Sequence, residues 1–200
     1  MTRSTHRRRI SFLSLLVALT VLAGSPALAA NTSQFFGFEN GLQGWTRDHF
    51  IDCEQEPTPC TFEWKINRST QQAKSGTQSL KGTLNGLNDD GTIWMERQFS
   101  FAPNTQATVE LSFWLWSEQQ ADINTWPVVG FIGKRNPETE EDFTIVGQTD
   151  RKAGWARYEL TRTLSTGATG KVWVAFGFGA TWESERSYFL DSVRVESNAS

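Results

Sequence analysis

Two carboxylates stand where a β-rich chain does not place them without a reason. Glu39, in Phe38-Glu39-Asn40-Gly41-Leu42-Gln43-Gly44-Trp45, and Asp191, in Tyr188-Phe189-Leu190-Asp191-Ser192-Val193-Arg194-Val195, each lie inside an apolar, strand-like pattern near opposite ends of the chain. A buried, unpaired charge is costly enough that each needs a partner. One divalent cation shared by the two would satisfy both and tie the first strand to the last. Arginine or backbone N–H partners would do so without a metal.

The second chemical resource is aromatic. Nine tryptophans occur in the chain. A sugar ring presents an apolar C–H face flanked by hydroxyls, so it stacks on a flat indole while amides and carboxylates hydrogen-bond its edge. Trp114 and Trp116 alternate with Val109, Leu111, Phe113 and Leu115; if the aliphatic side is core, both indoles share the opposite surface. Trp94, with Glu96 on the same face of its strand, and Trp126, beside Asn124 and Pro127, complete the expected carbohydrate-binding set. Loops laid over these rings would instead make them part of the core.

Catalytic constellations are sparse. The chain has two histidines, of which His6 lies in the N-terminal segment described below, leaving His49. One histidine does not build a multi-histidine zinc site, and no Gly-x-Ser-x-Gly elbow accompanies it. Glu96 with Glu110, or Glu183 with Glu185, offers the two carboxylates a glycosidase requires, and Tyr158 or Tyr188 with Arg157 or Arg186 offers lyase chemistry. Acidic residues are common on sandwich surfaces, so the expectation is a protein without catalytic residues. Asn88-Asp89-Asp90-Gly91 lacks the later glutamate of a calcium loop and reads as an Asx-rich turn.

The elements that must position these groups are strands. From Phe35 onward, runs of alternating apolar and polar residues are bounded by Gly, Asn, Asp and Pro. Strands are expected at 35–39, 62–67, 78–84, 92–99, 109–116, 128–133, 143–148, 155–163, 172–179 and 187–195. Helix is limited to turns such as Gly41 to Trp45, and the acidic group Glu138, Glu140, Glu141, Asp142 caps a solvated loop. About ten strands without βαβ alternation predict an all-β, antiparallel β-sandwich of the jelly-roll kind.

Residues 1–29 read as a secretory signal peptide: Arg3, Arg7, Arg8 and Arg9, an apolar run from Ile10 to Leu22, and Ala27-Leu28-Ala29. The run is too short for a membrane span, which takes about 20 residues. Loss of four arginines takes the basic count from 19 to 15 against 22 acidic residues, a net charge of −7 that disfavours nucleic acid. The remainder is one domain, 30–197, with a short tail at 198–200, secreted or periplasmic and monomeric. Cys53 and Cys60 are the only cysteines and, in an exported chain, are expected to form a disulfide worth about 2 to 3 kcal/mol.

In order along the chain stand Phe38-Glu39-x-Gly-x-x-Gly-Trp45, Ala73-x-Ser75-Gly76-x-x-Ser79-Leu80, Leu111-Ser112-Phe113-Trp114, Gly154-Trp155-x-x-Tyr158 and Tyr188-Phe189-Leu190-Asp191-x-Val193. This ordered set resembles the jelly-roll carbohydrate-binding modules and the wider galactose-binding-domain-like group, and its first segment is similar to the opening of MAM adhesion domains. The resemblance implies a structural calcium held by the Gly37 carbonyl, the Glu39 side chain, the Thr77 carbonyl and the Asp191 side chain. Oxygen ligands of this kind suit calcium. Lys74 stands where relatives can supply another oxygen, and its ammonium cannot. The resemblance also implies that Trp45 and Trp155 are buried caps. Neither carboxylate pair has the Glu-x-Asp-x-x-Glu spacing of jelly-roll glucanases. The expectation is therefore a secreted, non-catalytic glycan-binding module with structural calcium. An adhesion or matrix protein using the Trp-rich face on other proteins is the alternative, and a polysaccharide lyase or hydrolase the third.

Overall fold

The computed structural model describes residues 32–51, 62–85, 91–182 and 184–199. Residues 1–31, Cys53, Cys60, Asn88 to Asp90 and Glu183 lie outside these residues, and with them the expected signal peptide, the expected disulfide and the expected Asx-rich turn. Eleven strands are present among the described residues: β1 (Thr32–Phe36), β2 (Thr46–Phe50), β3 (Trp64–Ser69), β4 (Ser79–Leu84), β5 (Gly91–Ser100), β6 (Gln106–Ser117), β7 (Pro127–Gly133), β8 (Thr144–Gln148), β9 (Gly154–Ser165), β10 (Lys171–Ala180) and β11 (Arg186–Ala199). All pair antiparallel. One sheet runs β3-β4-β11-β6-β9, with β1 also on β11; the other runs β2-β5-β10-β7-β8. The jelly-roll sandwich expected from the alternation is the fold observed.

The two-residue period decides which side of each strand enters the core. Val109, Leu111, Phe113 and Leu115 of β6 face Val172, Val174, Phe176 and Phe178 of β10, and all eight are fully buried. Phe113 packs between the Phe176 and Tyr158 rings, at 5.1 and 5.9 Å between centroids. Trp45 is buried against Phe36, Phe99 and Phe176, as the resemblance implies. Trp155 is not a cap: it lies half-buried on the outer face of β9, abreast of Trp116.

β2 escapes the sequence reading because Thr46-Arg47-Asp48-His49-Phe50 has no apolar alternation; it is an edge strand held by pairing with β5. Glu39 is not in a strand. Phe38 adopts φ 59°, which turns the chain out of extended conformation and leaves Glu39 exposed in the turn that follows β1. The acidic group forms a short 3-10 turn, Glu140–Asp142, in which the Asp142 carboxylate accepts the Glu138 N–H at 2.9 Å and pairs with Arg135. No helix of the described residues is long and apolar enough to cross a membrane.

β11 changes partner along one edge. β6 follows its other edge from Phe189 to Ala199, whereas Arg186 to Leu190 pair with β4 and Val193 to Ser197 with β1. The switch falls at a bulge between Asp191 and Arg194, where Ser192 takes φ 52°. Such a bulge bends the strand and leaves residues outside the ladder.

Phe113→Ala is expected to cost about 3 to 5 kcal/mol, as for a fully buried aromatic truncation, while Trp182→Ala, at a ring 51% exposed, should change stability by no more than about 0.5 kcal/mol. Urea melts of the two variants check this, and a Phe113→Ala midpoint equal to wild type would refute the face assignment.

Candidate functional site

The two outer faces of the sandwich differ. On the five-stranded sheet, Trp94 and Phe131 are buried, with Ala175 between them and Trp173 half-buried alongside. The segment 134–143 crosses this face and sets the Phe143 ring 4.9 Å from Trp94 and 6.0 Å from Phe131. Trp94 Nε1–H donates to Glu96 Oε2 at 2.8 Å, and Asn136 Nδ2 donates to Glu96 Oε1 at 3.0 Å. Burial pushes the Glu96 carboxyl above its ordinary range while these two donors pull it back. Trp94 and Glu96 point outward from their strand as expected, but the crossing segment covers them and no ring face is open for stacking. Trp126 is also fully buried, its ring 6.4 Å from Phe178 and 6.0 Å from Tyr188.

The six-stranded sheet presents the open face. Asn67, Lys81, Phe189, Trp116 and Trp155 stand abreast across β3, β4, β11, β6 and β9. At about 4.8 Å per strand this row spans roughly 19 Å. Over it opens a groove of 720 Å³ whose lining includes Trp116, Phe189, Lys81, Gln71, Gln119 and Glu118. Phe189 forms the floor, with the Trp116 ring edge-on to it at 5.4 Å. Lys81 Nζ lies 5.7 Å above the Phe189 ring and donates to Gln71 Oε1 at 3.1 Å. A second concavity of 510 Å³ shares Gln71 and Lys81 and continues toward β3. Trp114, one row along, is not available: the Lys74 ammonium sits 4.1 Å over its ring. Of the four expected tryptophans, only Trp116 lines the groove.

At one end the groove meets a buried polar group. Asp150, at φ 58° and 4% exposed, accepts through Oδ2 from Tyr188 Oη (2.6 Å), Arg186 Nη1 (3.1 Å) and Thr149 Oγ1 (3.2 Å). Burial, and the bond to Asp150, push the Tyr188 phenol up to about 12. Tyr158 donates to the Gln148 carbonyl at 2.6 Å, and burial likewise pushes it up to about 12. Arg157 is engaged with Glu110 and Glu159 on the sheet surface. Glu96 and Glu110 occupy outer faces of different sheets, so the sandwich separates them and they cannot flank one glycosidic bond. Gln71, Gln72, Lys81 and Phe189 escape the sequence reading; the apolar Phe189 beside polar Ser187 and Asp191 was the available signal.

The carboxylates Glu39 and Asp191 meet at the bulge, and loop 70–78 wraps both. Asp191, fully buried, accepts at Oδ2 from the N–H groups of Lys74 (2.7 Å) and Ser75 (2.9 Å), and at Oδ1 from Ser192 N–H (2.5 Å). Glu39 Oε1 accepts from Thr77 N–H (2.9 Å) and Gln78 N–H (2.8 Å), and Oε2 from the Thr77 hydroxyl (2.9 Å). Gly76, at φ +64°, permits the approach: a Cβ there would lie 2.6 Å from Glu39 Cδ. These contacts hold the Glu39 carboxyl below its ordinary range, whereas burial pushes Asp191 above its own against the pull of its donors.

One member of the expected calcium set, the Thr77 carbonyl, points away from the carboxylates. Gln78 N–H points at Glu39, and in a trans peptide the carbonyl of the same unit, that of Thr77, points the opposite way. Glu39 Oε1 and Asp191 Oδ2 each accept two N–H bonds, the capacity of a carboxylate oxygen, while Glu39 Oε2 and Asp191 Oδ1 accept one bond each.

No family model and no curated protein matches the sequence. Among solved structures the chain is similar to TmCBM61 in complex with β-1,4-galactotriose, at 13% identity and TM-score 0.50, over 80% of this chain and 92% of that one. It is also similar to the CBM22-1 xylan-binding domain of Paenibacillus barcinonensis Xyn10C (17% identity, TM-score 0.49, 84% and 96% covered). A third is TmCBM27, a carbohydrate-binding module that recognises mannan (12% identity, TM-score 0.47, 85% and 99% covered). At these identities the likeness is one of fold: the chain has the jelly-roll β-sandwich of carbohydrate-binding modules.

Tyr158 and Tyr188 are the only tyrosines, so spectrophotometric titration reports on both at once. The folded protein should show no tyrosinate near pH 10, the ordinary phenol value, and ionise toward pH 12. The buried neutral phenols favour the fold fully below about pH 10, and that contribution is lost as pH rises to the folded values. Half-ionisation near pH 10 without unfolding would refute both environments.

Proposed function

We propose that the protein is an exported, non-catalytic glycan-binding module whose ligand lies in the groove over Phe189, against Trp116. The observation that carries this reading is the composition of that groove. It offers one indole side wall, polar side chains from the flanking loops and Lys81 around it, and a width of several strands that suits an extended stretch of polysaccharide. The ligands of the fold neighbours, a β-1,4-galactotriose, xylan and mannan, make polysaccharides the first class to test.

A binding role is favoured over a lyase because each tyrosine is held as a proton donor. Tyr188 faces Asp150 and Tyr158 a backbone carbonyl, so neither serves as a base near neutral pH. Arg186, which a lyase would aim at a uronate, is committed to Asp150 at the groove end.

Trp116→Ala should weaken binding by about 1 to 2 kcal/mol, roughly five- to thirtyfold, through lost aromatic contact, with a small effect on folding. Trp173→Ala, on the other sheet, serves as the control. Calorimetric titration of wild type and both variants with β-1,4-galactan, xylan and mannan decides the matter. Loss of binding in Trp173→Ala but not Trp116→Ala would move the site to the covered sheet. No binding by wild type to any of the three would favour the protein-adhesion alternative.

A further inference from the structure

The N–H groups wrapped around Glu39 and Asp191 reach beyond the junction they close, because the loop that supplies them also builds the groove. Gln71 and Gln72 of loop 70–78 line the groove wall, and Lys74 of the same loop covers Trp114. The loop is anchored at four of its peptide N–H groups, those of Lys74, Ser75, Thr77 and Gln78, each spent on a carboxylate from a distant part of the chain. Ser192 Oγ–H adds a bond to Ser75 Oγ at 2.9 Å, and Ser79 Oγ–H donates to the Gln72 carbonyl at 2.5 Å. On the far side, Arg68 donates to the carbonyls of Phe38 at 2.8 Å and Glu39 at 2.6 Å, fixing the turn that presents the Glu39 carboxylate.

We propose that peptide N–H groups of loop 70–78 take the place of a calcium ion in joining the two ends of the chain, and that Glu39 and Asp191 act through them as positioning residues for the groove wall. The role in ligand binding rests on the glycan reading above; the metal-free closure does not. Convergent N–H dipoles present positive charge to the carboxylates, which is the electrostatic service a cation would otherwise supply. The same dipoles oppose entry of a real cation.

The test uses the mature protein, stripped of metal, and reads amide hydrogen exchange, thermal melting and polysaccharide titration with and without calcium chloride. The expected result is equal melting temperature and equal protection of the Lys74, Ser75, Thr77 and Gln78 amides in calcium and in chelator. Glu39→Gln, at an exposed side chain, should lower protection of the Thr77 and Gln78 amides by about tenfold and weaken binding of whichever polysaccharide the wild type takes. A melting temperature or amide protection that rises with calcium overturns the proposal, as does Glu39→Gln with unchanged protection. If the wild type binds none of β-1,4-galactan, xylan and mannan, the glycan reading fails, while exchange and melting still decide the closure.

Discussion

Burial of a single carboxylate at the point where β11 exchanges one neighbour for another is the constraint on which the architecture turns. β4 and β1 share one edge of β11 end to end, and neither reaches the bulge at Asp191 and Ser192. Polar groups of a buried ladder need partners, and a buried charge needs them more. Loop 70–78 supplies them, and doing so brings its Gln71 and Gln72 to the groove and its Lys74 to the Trp114 ring. The N-terminal strand, the closed edge and one wall of the candidate site thus share a single set of hydrogen bonds.

The two outer faces show how loops, more than strands, decide which aromatic surface a sandwich offers. Trp94, Phe131 and Trp173 would form a continuous apolar patch on the five-stranded sheet if bare, and large bare patches are unusual on soluble proteins. The segment 134–143 covers it with Phe143, is pinned to it by Asn136 on Glu96, and is braced internally by the Arg135–Asp142 pair. On the six-stranded sheet, Phe189 is buried beneath Trp116 and Lys81, while the groove beside Trp116 remains open.

The same contrast marks what was legible in the sequence. The two-residue period of β6 separates Phe113 from Trp114 and Trp116 correctly, because strand geometry sends successive side chains to opposite faces whatever surrounds them. That period gives Trp94 and Trp116 the same outward direction, yet one is covered and one lines a groove; the difference lies in segments 134–143 and 70–78, which are distant in sequence from the rings they touch. Trp126 was misplaced for a related reason, since the chain before β7 turns its ring inward onto Phe178 and Tyr188. For Glu39 and Asp191 the need for partners could be read, and the proximity of the two ends with it. The partners' identity could not, because backbone N–H groups leave no residue signature, and only Gly76 hints at them.

Charge then narrows what the groove can recognise. Arg186 is neutralised by Asp150 at the groove end, and Lys81 is bonded to Gln71 and faces a lining that also holds Glu118 and Glu185. Neither sign dominates this lining, so for the proposed ligand long-range attraction would contribute little to capture and contact would supply the affinity. The one guanidinium among the described residues of this groove is already occupied by Asp150. On the proposed glycan reading, stacking on Trp116 and hydrogen bonds from Gln71, Gln72 and Gln119 would carry recognition, a combination suited to an uncharged chain whose every unit carries one apolar face and a rim of hydroxyls.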